Sequence, residues 1–300
     1  MEVGTMWAIK ITESEVLQPV TLAGPAERWL QFGLQAPPER RGDLYRELDT
    51  VARHALGDGL AHEFFFMHKP PGLRIRFLTD EGGAARLNLL LREHLHGWHQ
   101  EGLIGEWRPG VYEPETYLFG GPASMRSVHR VFTADSLAWL GFHHRHLAAG
   151  GGEGRRPGPA WALSLLMLRS LFEAMQIVGW EDLDVWDRVR RYRRLAPAAA
   201  EDPRFARLAS ALRAAWPSRS ALTAKLSPEA VELAGEHRET VLEEGKRWFG
   251  DYFESGSAMV GPREVASFVV IFHWNRAALP APRQALITHA LLVRMEGEAR

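Results

Sequence analysis

The stretch VYEPETYLFGGP, residues 111–122, places two glutamates, two tyrosines and a Gly-Gly-Pro turn directly after a strand-like run. Glu113, Glu115 and Tyr117 alternate along it, so an extended chain presents all three on one face. Acid and phenol groups that face one way are costly to bury unless they are paired. We therefore predict a carboxylate–arginine network that organises a site here. A structural salt bridge beside a turn is the alternative that the residues leave open.

The arginines that suit these acids lie in the run LRIRFL, residues 73–78. Strict alternation predicts a strand with Arg74 and Arg76 on one face and apolar side chains on the other. Two neighbouring guanidiniums can clamp a carboxylate or polarise an amide carbonyl. The alternative is a strand with one solvated face, which is common in antiparallel sheets.

The run GPREVASFVVIFHWNRAALP, residues 261–280, is typical of a helix. Helical spacing places His273 and Arg276 on one apolar stripe, whereas Trp274 and Asn275 lie on other faces of the helix. A histidine in such a site can shuttle protons near neutral pH. A hydrogen-bonded core histidine is the alternative.

Other polar groups suggest less. Two groups of histidines, at 94–99 and 143–146, lack repeated carboxylates at ligand spacing, so we predict no metal site. The basic run RVRRYRR, residues 188–194, is typical of a solvated helix face. A dock for an acidic peptide or for RNA phosphates is the alternative.

The bulk properties are those of an ordinary globular protein. The chain has 300 residues, 46% of them hydrophobic, a net charge of −1 and no cysteine, which excludes disulfides and thiolate chemistry. The first residues lack the features of a signal peptide. The longest apolar stretch, 161–178, carries charged residues and reads as a core helix. We expect a cytoplasmic protein with no membrane or nucleic-acid partner.

Strands are predicted at 29–34, 63–67, 73–78 and 104–112, and helices at 43–56, 84–99, 122–133 and 135–146, with Asp43 and Asp135 as N-caps. A Gly- and Pro-rich linker follows at 148–159. Beyond it, helices are predicted at 160–178, 182–194, 202–215, 228–253, 263–277 and 282–295. The predicted class is α+β, with an antiparallel sheet and helices in a lobe at 1–147 and a mainly helical lobe at 160–300, both forming one unit.

Three blocks, EFFFMHKPPGLRIRF (63–77), the run from VYEPETYLFGGP to LAWL (111–140) and VIFHWNR (270–276), follow one another in a recognisable order. Together they resemble the C-terminal domain of lantibiotic dehydratases, which is also the thiopeptide-type bacteriocin biosynthesis family. The resemblance spans most of the chain and matches the free-standing form of the domain.

The resemblance implies one of two activities. Eliminating members remove glutamate from glutamylated Ser or Thr, whereas pyridine synthases join two dehydroalanines in a formal [4+2] aza-cycloaddition, with loss of water and leader peptide. Eliminating members carry an arginine where this chain has Leu118, next to Phe119, and the family's histidine before the arginine strand is replaced by Gly72. His68-Lys69 also departs from the family's Arg-Tyr. These departures favour the pyridine synthase.

The resemblance also implies roles for single residues. The predicted catalytic residues are Arg74, which polarises a substrate carbonyl, His273, which shuttles protons, and Glu115 and Tyr117, which position amides or relay protons. The predicted substrate-binding residues are Arg76, Glu113, Phe119, Asp135, Ser136, Trp274, Asn275 and Arg276. The predicted leader contacts are Arg190, Arg191 and Arg193.

Two further functions stay open at this point: the glutamate-eliminating subunit of a split dehydratase, and a non-catalytic peptide-binding subunit. The expected partners are a modified precursor peptide with its leader and other enzymes of the same pathway. No cofactor follows from the residues.

Overall fold

The computed structural model of the chain describes residues 27–70, 72–148 and 157–292. Within these residues the first part forms a four-stranded antiparallel sheet in the order β2-β3-β1-β4. The strands are β1 (Glu27–Gln35), β2 (Glu63–Lys69), β3 (Gly72–Asp80) and β4 (Trp107–Gly110). The predicted hairpin of β2 and β3 is confirmed, and the predicted strand at 104–112 is shorter than expected.

The start of β3 explains one departure from the family pattern. Gly72 pairs with Gln35 of β1, and a Cβ at this glycine would overlap the carbonyl oxygen of Leu34. Any larger residue would therefore push β3 away from β1. Pro71, in the predicted turn between the two strands, lies outside the described residues.

Two helices, α1 (Arg41–Gly57) and α2 (Ala84–Gln100), cover one face of the sheet. Tyr45 of α1 packs on Phe66, and His96 of α2 packs on Trp107. The order β1-α1-β2-β3-α2-β4, with β3 between β1 and β2, is the ferredoxin-like β-α-β-β-α-β topology. The opposite face carries Gln31, Phe65, Arg74 and Arg76, and we call it the arginine face.

A continuous helix, α3 (Pro122–Ala148), stands where two short helices are predicted. The prediction of a break before Asp135 is wrong, because this carboxylate is buried in the middle of the helix and does not cap its start. Two hydroxyls of α3 accept hydrogen bonds from the outer edge of β2. Phe66 N donates to Ser136 Oγ at 3.3 Å, and Phe64 N donates to Thr133 Oγ1 at 3.1 Å. Edge strand β2 is thereby covered.

The remaining chain is helical, as predicted. The helices are α4 (Ala160–Ala174), α5 (Glu181–Tyr192), α6 (Pro197–Ala200), α7 (Pro203–Ala215), α8 (Arg219–Thr223), α9 (Pro228–Trp248), α10 (Pro262–Arg276) and α11 (Ala281–Leu292). A short 3-10 helix, Pro38–Arg40, precedes α1, and a π-helical turn, Phe249–Phe253, follows α9. Of the last predicted helix, residues 293–295 lie outside the described residues.

The sheet and the helices share one core, in which α3 packs against α1, α9 and β2. Four tryptophans are fully buried in it: Trp139, Trp186, Trp248 and Trp274. None of the described helices is both long and apolar enough to cross a membrane. Residues 149–156 of the predicted linker lie outside the described residues, and the division into two lobes stays a prediction.

Candidate active site

Arg76 lies at the centre of the arginine face and is held on three sides. Its Nε donates to Gln31 Oε1 at 2.7 Å, because β1 and β3 place these two residues directly opposite each other. Its guanidinium lies 4.8 Å from the ring centre of Phe65 and 4.5 Å from that of Tyr112. Burial lowers the pKa of Arg76, and the neighbouring Tyr112 and Glu115 oppose that shift. The guanidinium is thus fixed in direction before any ligand arrives.

Arg74 shares this face but lies at its open end. The side chain is exposed and lines a groove of about 270 Å³ together with Lys69 and Arg108. Gly33 lies between Arg74 and Arg108 across the sheet, so no side chain fills the space between them. The two arginines of β3 therefore differ: Arg76 is an inner, buried cation and Arg74 an outer, exposed one.

The segment 111–121 covers the arginine face. Tyr112 is buried and its hydroxyl lies 2.9 Å from His129 Nε2. Glu115 is half-buried, and its charge opposes the lowering of the Arg76 pKa. Among the described residues no ion pair joins it to an arginine, so the carboxylate–arginine network stays a prediction. The prediction of one shared face is wrong for Tyr117, because the chain turns at 116–120 and leaves this phenol 89% exposed. Glu113 is exposed as well.

The Gly-Gly turn has a steric reason. Gly120 has φ +83°, in the left-handed region that favours glycine, and a Cβ there would overlap the hydroxyl of Tyr252. That hydroxyl accepts hydrogen bonds from the backbone N–H groups of Met259 and Val260. The turn is thereby packed against the loop that leads into α10.

Phe119 and Leu118 point from this turn into the core. Phe119 is fully buried and meets Phe132, Phe268 and Phe272 at ring distances between 5.5 and 6.1 Å. Leu118 is half-buried against the same core. A direct contact between Phe119 and a substrate, as predicted, would require this cluster to open.

A buried ionic centre joins α3 to α10. Asp135 accepts hydrogen bonds from His273 Nδ1 at 2.6 Å and from Arg276 Nε at 2.5 Å, and His237 Nε2 lies 3.5 Å away. Burial opposes ionisation, but the neighbouring His273 and Arg276 outweigh it and hold the pKa of Asp135 well below its usual value. The stripe predicted on α10 is confirmed, and Asp135 is the group that it faces.

His273 is occupied at both ring nitrogens. Nδ1 donates to Asp135, and Nε2 lies 2.9 Å from Ser164 Oγ, which also accepts from Trp274 Nε1 at 3.0 Å. Burial lowers the pKa of His273, against the opposing charge of Asp135. A neutral ring that donates to the carboxylate and accepts from the serine hydroxyl satisfies these two bonds, and Trp139 Nε1 lies 3.4 Å from the same Nδ1. The geometry is that of a positioning residue.

Arg276 connects this centre to the arginine face. It is fully buried over the ring of Phe132 at 4.2 Å, and its Nη1 lies 3.7 Å from Met67 Sδ. Its charge has a small lowering effect on the pKa of Arg76. Among the described residues, Arg276 Nη2 and Asn275 Oδ1 are buried side-chain atoms with no hydrogen-bond partner.

The backbone around these residues is fixed by two histidines. His68 Nδ1 donates to the Asn275 carbonyl at 2.7 Å and its Nε2 accepts from the Tyr45 hydroxyl at 2.8 Å. His143 Nε2 donates to the Arg276 carbonyl at 2.8 Å. Burial lowers the pKa of both rings, that of His143 to about 3. His68, at a departure from the family pattern, thus helps hold the end of α10.

The basic run on and after α5 is partly neutralised, since Arg188, Arg190 and Arg191 pair with acids of the same helix. Arg190 and Arg191 both pair with Asp187, and Arg193 Nε donates to Gln284 Oε1 at 2.5 Å. These arginines lie outside the site built around Arg76. Their predicted role as leader contacts stays a prediction.

The residues that sequence reasoning missed are Gln31, Tyr112 and Glu63. Gln31 alternates with Trp29 along β1, which was the available signal. Glu63 opens β2 and lines a cavity of about 510 Å³ between the sheet and α3. No periodicity marks it, since it is a single acid before an apolar run. Across the described part of the chain, no group of three or more His, Asp or Glu side chains is arranged to bind a metal ion.

Comparison with known proteins gives a consistent picture. The model of the family described as lantibiotic biosynthesis dehydratase C-term matches residues 29–295. The tRNA-dependent lantibiotic dehydratase MibB from Microbispora sp. 107891 superposes with a TM-score of 0.62 at 19% identity, over 92% of this chain. The chain spans only 28% of the length of that protein.

Two smaller proteins match over nearly their whole length. TsrL superposes with a TM-score of 0.51 at 15% identity, covering 88% of this chain and 94% of its own. The pyridine synthase TbtD, from thiomuracin biosynthesis, does so with a TM-score of 0.50 at 15% identity, covering 88% and 96%. At these identities the likeness is one of fold. No curated protein matches the sequence.

Proposed function

The chain belongs to the family of lantibiotic biosynthesis dehydratase C-terminal domains, and on that premise we propose that it is a pyridine synthase. Its substrate is a precursor peptide that carries a leader and two dehydroalanines. The reaction is the formal [4+2] aza-cycloaddition that yields a pyridine-centred macrocycle. The similarity of fold to the pyridine synthase TbtD agrees with this proposal.

The observation that carries the proposal is the apolar turn at 116–120. Leu118 stands where eliminating members of the family carry an arginine, and it packs half-buried against the core. Its neighbour Phe119 is fully buried among phenylalanines. The turn therefore offers no cation to a glutamyl carboxylate. A cycloaddition has no need of one, because its substrate carries no glutamyl group.

The chemistry starts from one backbone amide in its iminol form. Together with its dehydroalanine this iminol is a 2-azadiene, and two C–C bonds form between its ends and the second alkene. The ring then loses water and the leader peptide as an amide, and becomes aromatic. Holding the two alkenes in contact can supply about 7–11 kcal/mol of the barrier. Polarising the amide carbonyl supplies more, and that is the role we propose for Arg76, while Arg74 holds the peptide at the outer end of the sheet.

His273 acts in this scheme by holding Asp135, and through it Arg276, in place. Both of its ring nitrogens are hydrogen-bonded and 2% of its surface is exposed. Glu115 is the half-buried carboxylate near Arg76 and positions substrate amides. Tyr117 is exposed and meets the peptide at the rim of the site.

One observation favours a second candidate, elimination of glutamate from a glutamylated peptide. Arg276 Nη2 is buried without a hydrogen-bond partner, and the charge of Arg276 acts on Arg76. Two such guanidiniums are suited to bind a carboxylate. On this alternative they replace the arginine that is absent at position 118.

The test is incubation of the pure protein with a linear, azole-bearing precursor that carries two dehydroalanines, followed by mass spectrometry. Release of the leader together with a macrocycle lighter by water is the expected result. An unchanged dehydroalanine peptide, combined with glutamate loss from a glutamylated version, would establish the second candidate. A protein that binds either peptide and converts neither is a binding subunit.

A further inference from the structure

The cavity of about 510 Å³ lies at the far end of the sheet from Arg74. It is formed by the starts of β1 and β2, the end of α1 and the first half of α3. The charged and titratable residues that line it are Glu27, His62, Glu63, Arg126, His129 and Arg130. Cavities of this size accommodate a small ligand or a few residues of a peptide.

Glu63 is the most enclosed carboxyl on this wall, with 13% of its side chain exposed. Its Oε2 accepts from Thr133 Oγ1 at 2.6 Å, and its Oε1 lies 3.5 Å from Arg130 Nε. Arg130 also forms an ion pair with Glu244, whose side chain is 2% exposed and whose carboxylate lies 3.3 Å from Arg130 Nη1. One guanidinium is thus shared between two enclosed carboxyls.

This arrangement leaves the negative charge of an ionised Glu63 only partly balanced by positive charge. Burial raises its pKa to about 7, against the lowering effects of Thr133 and Arg130, while the charges of Glu244 and Glu27 add to the rise. A carboxyl in this condition gains and loses a proton near neutral pH. The same balance is found for general acids and bases in enzymes.

The cavity is joined to the candidate active site through one histidine. His129 lines the cavity, and its Nε2 lies 2.9 Å from the hydroxyl of Tyr112, which in turn covers Arg76. Burial lowers the pKa of His129 to about 3, so the ring is neutral and serves as a hydrogen-bonding link. Glu63 and Arg76 thus lie on the same face of the sheet and are linked through the His129–Tyr112 hydrogen bond, with the rings of Trp29 and Phe65 packed against that histidine.

We infer that Glu63 is an acid–base residue of this protein and that the cavity beside it receives the reacting segment of the peptide. The inference rests on the proposed function for the identity of that peptide. His273 is enclosed with both nitrogens hydrogen-bonded, whereas Glu63 is held by Thr133 and Arg130 on a cavity wall, where 13% of its side chain is exposed.

In the cycloaddition the proton balance is simple. Protonated Glu63 donates its proton to the carbonyl oxygen of the substrate amide, and its carboxylate then takes the proton from the amide nitrogen. The amide becomes the iminol and Glu63 returns to its first state. In glutamate elimination the carboxylate instead removes the Cα proton of the glutamylated residue, and the glutamate leaves as the alkene forms.

The test compares the full-length wild type with Glu63→Gln, and with Glu181→Gln as a matched control. Glu181 is a partly exposed glutamate on the wall of a different cavity, paired with Arg263. Both peptides named above are offered as substrates. Glu63→Gln is expected to lower kcat by roughly 10²- to 10⁴-fold, with peptide Kd within a few-fold of wild type. Glu181→Gln is expected to retain wild-type kcat. Glu63→Gln with kcat within threefold of wild type would overturn the inference.

A second readout does not need turnover. Peptide binding is measured by calorimetry at pH 7 in two buffers that differ in ionisation enthalpy, which reports protons taken up or released. Wild type and Glu181→Gln are expected to show such exchange, and Glu63→Gln to lose it. Equal exchange in all three proteins, or binding of neither peptide, contradicts the inference.

Failure of the proposed function and failure of the Glu63 inference give different results. Conversion of the glutamylated peptide alone overturns the pyridine synthase while the Glu63 comparison proceeds on that substrate. Conversion of the dehydroalanine peptide that is indifferent to Glu63 overturns the inference alone.

Discussion

Asp135, within α3, and Glu63, which contacts α3 through Thr133, are two enclosed carboxyls whose environments shift their pKa values in opposite directions. Asp135 has His273 and Arg276 at hydrogen-bonding distance, and its pKa lies well below the usual value. Glu63 has a hydroxyl and a guanidinium shared with Glu244, and its pKa is raised to about 7. Burial opposes the charged form at both positions, so the partners decide the difference.

The comparison distinguishes a carboxylate that holds the fold in place from a carboxyl that exchanges protons with a ligand. A fully paired carboxylate in the core fixes the elements around it, and here it ties α3 to α10. A carboxyl with incomplete compensation on a cavity wall is able to exchange protons with a ligand. We therefore assign the Asp135 centre to positioning and the Glu63 cavity to acid–base work, and four changes test this assignment.

The largest effect is expected for Asp135→Asn. Arg276 is fully buried and would lose its carboxylate partner, which costs about 3–5 kcal/mol when one member of a buried pair is removed. Urea unfolding at pH 7 measures the change in the free energy of unfolding. The control is Asp49→Asn, whose carboxylate pairs with Arg53 on the surface of α1 and should lose less than about 1 kcal/mol. Equal losses in the two variants would contradict the assignment.

Glu63→Gln is expected to change the pH dependence of stability. The raised pKa means that the folded state holds the proton more tightly than the unfolded state, so this group's contribution to stability falls as pH rises from about 4.5 to about 7. The fall amounts to no more than about 3 kcal/mol. Glu63→Gln should therefore gain stability relative to wild type between pH 5 and pH 8 in urea unfolding. Parallel curves for the two proteins would show that Glu63 is ionised throughout.

Ser164→Ala probes the outer part of the Asp135 centre. It removes the hydroxyl shared by His273 Nε2 and Trp274 Nε1 and leaves two buried ring nitrogens without a partner. The expected loss in the free energy of unfolding is about 1–3 kcal/mol. Ser170→Ala is the matched control on the same helix, because that buried hydroxyl donates only to the Leu166 carbonyl one turn away. An equal loss in the free energy of unfolding for Ser170→Ala would mean that the hydrogen bonds to the two rings contribute no more to stability than an ordinary buried hydroxyl.

The smallest effect is expected for Thr133→Val. Its hydroxyl donates to Glu63 and lowers the pKa of that carboxyl, so removing it should move the stability transition of Glu63 to higher pH by less than about one unit. The variant also loses the acceptor for Phe64 N and should be less stable at every pH. Thr133→Ser keeps the hydroxyl and should leave the transition in place. A downward shift in Thr133→Val would mean that the hydroxyl stabilises the protonated form.

Sequence patterns predicted most of the secondary structure because periodicity is a local property. The alternation of LRIRFL placed Arg74 and Arg76 on one face, and helical spacing placed His273 and Arg276 on one stripe; both are confirmed. The short helices α6 and α8 were missed. The break before Asp135 was wrong, since an acid after a small residue is typical of a helix start and nothing nearby in sequence marks this one as buried.

The predicted polar sites are likewise correct where they depend on local pattern and incomplete where they depend on the fold. Alternation predicted one face for Glu113, Glu115 and Tyr117, but the turn that begins at residue 116 separates Tyr117 from the other two. The charge of the run 188–194 was read correctly, whereas its compensation by Asp187 depends on side-chain placement that the pattern does not give.

The sequence by itself determined most of the strands and longer helices, the shared face of Arg74 and Arg76, the shared stripe of His273 and Arg276 and, through three ordered blocks, the family. Only the tertiary structure decided which groups meet. Asp135 lies 138 residues from His273 and 141 from Arg276 along the chain. The ionisation of a carboxyl depends on its solvation and on such distant partners, and no local pattern encodes either. For that reason the sequence pattern predicts a helix cap at Asp135 and gives no signal at Glu63.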